Sequence, residues 1–167
     1  MADIDALLAS NRAATDELIA VAERSASRWS TPRAPGKWSP AQLTEHVARS
    51  LEEAANCIAE RPSKLPTLPK LIRPVAGWMF RRILRTGKFP KAKTNRAMNP
   101  ESTAPAIPAN PAEARTRLQT AQATFEREAR ARAGRTFTHS AFGEVAVEDY
   151  VRFTELHTRH HTKQLPS

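Results

Sequence analysis

The sequence predicts an all-α fold, and three observations carry that expectation. Ala, Arg, Leu and Glu are plentiful while there are only five glycines, a composition that suits helices. β-Branched and aromatic residues do not gather into the runs that strands use. Apolar residues recur instead at three- and four-residue spacing between proline-rich breaks. A chain of 167 residues with 40% apolar content holds one core, so residues 1–167 read as a single domain.

The elements follow in order. Residues 3–27 form an amphipathic helix with Asp3 as N-cap and Ile4, Leu7, Leu8, Leu18, Ile19 and Ala22 on its apolar side. WSTPRAPGKW breaks it. The segment SPAQLTEHVARSLEEAANCIAE then opens with Ser39 as N-cap, Pro40 at the first helical position, Gln42 closing a capping box and Trp38 placed to staple onto Leu43. That punctuation predicts a second helix over about 40–60. PSKLPTLP (62–69) is a break, and Leu71 to Thr86 reads as a basic amphipathic helix interrupted near Pro74. Gly87 to Pro111 reads as loop. Asn110, Pro111 and Glu113 repeat the capping logic and launch a helix through Leu118, Ala121, Phe125 and Ala129 to Gly134. THSAFGEV reads as a turn, and the last helix spans Val147 to Leu165 before Pro166. The lengths fit a four-helix bundle with a long crossover between its second and third helices, carrying the extra basic helix.

Composition narrows the functions. Cys57 is the only cysteine, so there is no intrachain disulfide and no thiolate cluster for zinc or iron; a metal site must use nitrogen and oxygen. Cys57 itself reads as a small core residue, since nothing near it in sequence lowers its pKa. MADIDALLAS carries acids where a secretory signal carries bases, and no apolar run approaches the roughly 18 residues of a membrane span. A cytoplasmic protein is expected. The formal net charge is +9, much of it in residues 70–96 (KLIRPVAGWMFRRILRTGKFPKAKTNR), which contain no acid. Such a block meets phosphate or an anionic surface, or is a solvated helix flank and loop. No recognition helix, aromatic RNA-binding signature or glycine-rich phosphate loop accompanies it, which argues against nucleic acid.

The stretch HTRHHTKQL, residues 157–165, holds three of the five histidines. At roughly 100° per residue, Val147, Tyr150, Val151, Thr154, His157, His161 and Leu165 share one face of the last helix, and Arg152, Glu155, Arg159 and Lys163 the opposite one. His160 lies to one side. Burying unpartnered imidazoles costs about 1–3 kcal/mol each, so His157 and His161 need a shared acceptor. A divalent metal supplies one, because HxxxH on a helix brings two ring nitrogens to one ion; the alternative is a pair of core histidines bonded to water or backbone. His139 sits in the turn and reads as a local loop bond. His46 lies at the edge of the second helix's stripe of Leu43, Val47, Leu51, Ala54 and Ile58, flanked by Ser50, Glu53 and Cys57, where it can reach a cavity between helices. Three histidines from two helices make an open site of the kind catalytic zinc uses.

These motifs are recognisable. KWSPAQLTEHV resembles the second-helix signature of the DinB/YfiT-like superfamily, and FGEVAVEDYVRFTELHTRHHTKQL resembles its last-helix signature, in which a histidine is followed four residues later by another and then by a glutamine. The resemblance spans nearly the whole chain and is strongest to the DinB-like branch. It implies a four-helix bundle, often dimeric, with zinc or nickel held by His46, His157 and His161, and gives His160 no ligand role. Ala146 departs from the Ser or Thr that usually caps the last helix, which puts that helix start in question.

The resemblance also implies a reaction class, since characterised members act on low-molecular-weight thiols. The first expectation is a metal-dependent transferase joining a small thiol to an electrophile. Hydrolysis by water activated on the metal is the second, with Glu53 or Glu45 as general base; the competing reading places Glu53 on a solvated flank and Glu45 on the surface. HExxH is absent, which disfavours a zincin-type protease. Tyr150 shares the ligand face and either orients a ligand or packs in the core with its hydroxyl satisfied. The third expectation is not an enzyme: a metal-stabilised bundle meeting a partner or an anionic membrane through residues 70–96, unless the apolar residues there cover the bundle or pair two copies.

Overall fold

The computed structural model describes residues 3–90, 94–102 and 107–166. Within these, five α-helices and one small two-stranded sheet form. The chain runs α1 (Ile4–Arg24), α2 (Pro40–Ile58), α3 (Arg73–Thr86), α4 (Pro111–Ala131), β1 (Thr136–His139), β2 (Gly143–Ala146) and α5 (Val147–Thr162), with a short 3₁₀ turn at Ala26–Arg28 after α1.

The helix starts follow their capping chemistry. Asp3 accepts from the Asp5 and Ala6 amides at 2.9 and 3.4 Å. Ser39 Oγ accepts from the Gln42 amide at 3.3 Å while Gln42 Oε1 accepts from the Ser39 amide at 2.8 Å, closing the expected box at α2. Asn110 caps α4 through the Glu113 amide at 3.0 Å, although the returning Glu113 carboxylate takes the Ala109 backbone amide and the Asn110 side-chain amide, not the Asn110 backbone N–H. Pro74 does not interrupt α3. It stands in its first turn, where a missing N–H costs nothing, and Lys70–Ile72 form the turn before it.

α2 packs on α4 and α5, and α1 on α5 and α4; α3 lies against α5 and β2. Their shared core includes Leu8, Leu18, Leu43, Leu51, Ile58, Leu118, Phe125 and Val151, all essentially inaccessible. α2 and α5 run antiparallel, because His46 early in α2 meets His157 and His161 late in α5 while Cys57 late in α2 meets Tyr150 early in α5. A buried polar network ties α1 to both neighbours: the Asn11 amide donates to Val151 O and Thr154 Oγ1 at 3.1 and 2.8 Å, and Gln122 donates to Asn11 Oδ1 at 2.9 Å.

Two expectations need correction. Thr136 to Ala146 is a β-hairpin and not a simple turn, so the chain is mostly, not wholly, helical. Alternation explains it: Phe137, His139 and Val145 point inward while Thr136, Thr138 and Glu144 point out, and Gly143 takes the positive φ of 80° the turn requires. The hairpin also answers the missing cap of α5. Ala146 offers no side-chain bond, yet α5 starts at Val147, whose amide donates to Arg135 O at 3.0 Å. At the other end α5 closes at Thr162, short of Leu165.

The Gly87 to Pro111 loop is described except for residues 91–93 and 103–106, so Lys91 and Lys93 of the basic segment lie outside the described residues. Asn95 caps a turn through the Met98 amide at 3.1 Å, and Trp29 Nε1 holds Pro108 O at 2.7 Å. No described helix is long and apolar enough to cross a membrane.

Phe125 is fully buried among the helices, so Phe125→Ala is expected to cost about 3–5 kcal/mol in urea unfolding. A loss under about 1 kcal/mol would place Phe125 at a surface.

Candidate metal centre

The antiparallel contact of α2 and α5 brings His46, His157 and His161 together, with one ring nitrogen of each within 4.8 Å of the others. Ring centroids are 4.6 Å apart for His46 and His161, 5.3 Å for His46 and His157, and 4.5 Å for His157 and His161. His46 and His161 are buried and His157 is half-buried.

Hydrogen bonds settle which nitrogens are available. His46 Nδ1 lies 2.8 Å from the Met98 carbonyl, which only accepts, so Nδ1 carries the proton and Nε2 the lone pair. His161 Nδ1 lies 3.1 Å from Gln164 Oε1, which accepts its proton and leaves the lone pair on His161 Nε2. His157 Nε2 is 3.1 Å from that atom. Gln164 also donates from its amide nitrogen to His160 Nε2 at 2.9 Å, which occupies the nitrogen His160 would otherwise offer. One glutamine therefore orients a candidate ligand and holds its neighbour in another bond. Both roles follow from the i, i+3 and i, i+4 spacing to His161 and His160.

Burial keeps the imidazoles neutral. It lowers His46 to about 4 against the opposing bond to Met98, and His161 to about 3 with help from the fields of His46 and His160. His157 is pushed well below its ordinary value by burial and then by His161. Neutral imidazole is the form that binds metal. Two nitrogens at 2.0–2.1 Å from a tetrahedral ion are about 3.3 Å apart, and the 3.1 Å between His157 and His161 Nε2 is close to that. The residues fit a divalent cation.

The three histidines form one end of a cavity of about 760 Å³. Trp38, Phe89 and Phe153 contribute apolar wall, and Lys37 stands at its rim. Trp38 packs 4.8 Å from His46, and Phe89 edges against His157 at 5.6 Å, ring centre to ring centre. Phe89 and Met98 come from the loop after α3, which offers no period to reveal them. Toward the other end lie Glu53, His139 and Tyr150.

Glu53 and Glu45 are not surface residues. Glu53 is 5% exposed, its Oε2 accepting from Ser63 Oγ at 3.0 Å and the Lys64 amide at 2.8 Å. Glu45 is 1% exposed, bonded by Arg49 Nε at 2.7 Å and Arg117 Nε at 3.2 Å. Helical periodicity hides both facts, since the partners come from the loop after α2 and from α4. His139 makes the expected loop bonds, its Nδ1 accepting from the Ala141 and Phe142 amides at 3.1 and 3.3 Å, but it is also buried and lines the cavity. Its Nε2–H then donates to the Tyr150 hydroxyl at 3.2 Å. The alternation TFTH is the sequence signal that places His139 inward with Phe137. Tyr150 is buried with its hydroxyl satisfied, and burial pushes it well above its ordinary pKa. Burial likewise pushes the Cys57 thiol up, consistent with a packing role.

Protonating His139 would force a proton onto Nδ1 against two amide donors, and burial lowers it to about 4. The unfolded chain binds that proton near pH 6.5, so stability is complete at neutral pH and falls as pH drops from about 6.5 toward 4. The other buried histidines add to the same fall. Urea titrations of metal-free protein across this range are expected to show a shallower loss in His139→Gln than in the wild type; parallel curves would mean that His139 titrates normally.

Compared with known families, residues 7–165 match a family model described as the DinB superfamily. No curated protein and no solved structure matches the chain.

Proposed function

Because the chain belongs to the DinB superfamily, we propose that it is a metal-dependent enzyme joining a small thiol to an electrophile, with His46, His157 and His161 as its metal ligands. The observation that carries this reading is the convergence of three neutral imidazoles, from two helices, on one end of a cavity of about 760 Å³. Zinc or nickel held there would lower the pKa of a thiol or water and so supply a nucleophile near neutral pH. The chain's own residues do the rest. Met98 O and Gln164 Oε1 keep the His46 and His161 lone pairs on the cavity side. Trp38, Phe89 and Phe153 place apolar surface beside the histidines, which lowers the local polarity and strengthens charge interactions there. Lys37 at the rim, with the exposed Arg81, Arg85 and Lys88 of the basic segment, draws in the carboxylates that small thiols carry.

Hydrolysis is less well supported. Glu53 is the acid that lines the cavity, and seven residues of helix place it roughly 10 Å along α2 from His46, beyond the reach of about 3 Å that a general base needs. Glu45 is engaged by Arg49 and Arg117.

In the same reading α1, α2, α4 and α5 form a four-helix bundle, with α3 carried on the crossover from α2 to α4, and the protein works in the cytoplasm. Two copies pair through the outer side of α3 and the turn before it, where Val75 and Trp78 of the helix are 58% and 55% exposed and Leu71 of the turn 92%. That exposed side also supports the non-enzymatic alternative, in which it meets a partner or an anionic membrane surface. Flotation of the protein with anionic vesicles in moderate salt separates the two.

Wild-type protein purified without chelator is expected to carry about one zinc or nickel per chain, and His46→Ala and His161→Ala to lose it. Metal-dependent consumption of a small thiol with an aryl halide is expected to fall by about 100-fold or more in His161→Ala. Metal-free wild type after incubation with both ions would overturn the centre.

A further inference from the structure

The end of the cavity remote from the histidines has a chemistry of its own. Glu53 follows His46 by seven residues on α2, and Tyr150 precedes His157 by seven on α5. At 1.5 Å per residue both stand roughly 10 Å from the histidines along antiparallel helices. Between them Phe142 and Phe153, in contact at 5.6 Å between ring centres, form an aromatic wall, and the Ser50 and Thr154 hydroxyls beside them donate to backbone carbonyls of their own helices.

Glu53 differs from the other buried acids. Glu45 pairs with Arg49 and Arg117, and Glu126 with Arg12. Glu53 accepts from the Ser63 hydroxyl, the Lys64 backbone amide and, at 3.5 Å, the Asn56 side-chain amide, all neutral donors. Among the described residues it forms no ion pair with Lys, Arg or His. A buried carboxylate without a counter-ion is costly, and neutral donors offset only part of that cost. Two or three bonds also leave acceptor capacity on its oxygens, which have about four lone-pair sites. The neighbouring groups add no cation: His139 is neutral, lowered to about 4, and Tyr150 keeps its proton. The opposite rim carries Lys37. The cavity therefore has an acid at its inner end and, at the other, three neutral imidazoles beside an exposed lysine, with aromatic faces between.

We propose that the inner end is an ammonium subsite, in which a protonated primary amine of the substrate pairs with Glu53 while its reacting group lies about 10 Å away at the histidines. The aromatic wall suits the intervening methylenes, and its ring faces favour an approaching cation. The occupant of the histidine end is the thiol of the proposed function, on which that half of the inference rests; the amine half rests on Glu53 alone.

The test uses zinc-loaded protein and calorimetric titration with ω-aminoalkanethiols of increasing chain length, each beside the ω-hydroxyalkanethiol of the same length. The aminothiols are expected to bind about tenfold tighter or more, a gain of about 1.4 kcal/mol, and most strongly where sulfur and nitrogen span about 10 Å. Glu53→Gln keeps an acceptor for Ser63 and Lys64 and is expected to erase the amine preference while leaving the hydroxythiols unchanged; Glu53→Asp is expected to retain it. Thiols that bind the wild type with no amine preference at any length overturn the subsite and leave the thiol reading intact. If no thiol binds, the thiol reading fails, and linear alkylammonium ions followed by tryptophan fluorescence decide the subsite: binding that Glu53→Gln removes upholds it, and no binding refutes it.

Discussion

A ring nitrogen of a buried or half-buried imidazole must meet either a protein partner or the open cavity, and this requirement shapes the contact between α2 and α5. Met98 O takes one nitrogen of His46 and Gln164 Oε1 one of His161. The remaining Nε2 atoms of His157 and His161 face each other, with His46 beside them. The bond between two imidazoles satisfies a proton on one of them and a lone pair on the other, but a third ring facing the same point exceeds what that bond can serve. A divalent ion would be a partner that three lone pairs can share. Because burial holds all three rings neutral, the arrangement is compatible with metal without a change of charge on the protein.

The surrounding packing keeps that point in place. Asn11, Thr15 and Gln122 join α1, α4 and α5 through buried bonds of 2.8–3.1 Å. Glu45 ties α2 to α4 through Arg117. Buried polar networks of this kind tolerate little sliding, since a shift of one helix strands several donors at once. The hairpin supplies the end of the cavity that neither α2 nor α5 closes, with His139 stacked on Phe142 at 4.4 Å and bonded to Tyr150. Leu68 N–H reaches Ser140 O at 3.1 Å and joins the proline-rich segment to the same turn. Gly77 of α3 allows close approach there, because a Cβ would stand 3.1 Å from Phe142 O.

The histidine triad was legible in the sequence because its information is local: a capping box dates the start of α2, and i, i+4 spacing sets His157 and His161 on one side of α5. The family match to residues 7–165 agrees with the resemblance read from those two segments. What depended on distant partners was misread. Glu53 and Glu45 lie on flanks that periodicity treats as solvated, and only Ser63, Lys64 and Arg117 reveal that they are buried. The hairpin escaped because the alternation in TFTH runs for only four residues, too few to stand out against the turn that follows. Phe89 and Met98 reach the cavity from an irregular loop, where no pattern marks an inward side chain. Pro74 looked like a helix breaker until its place in the first turn of α3 was known.

The central claim is that three imidazoles share one ion. X-ray absorption at the zinc edge of zinc-loaded protein tests it most directly, since imidazole rings leave multiple-scattering features that carboxylate and water ligands lack. Three imidazole nitrogens at about 2.0–2.1 Å, one of them lost in His46→Ala, is the predicted result. A shell of oxygen ligands, or a spectrum unchanged by His46→Ala, would contradict it and return the histidines to the core.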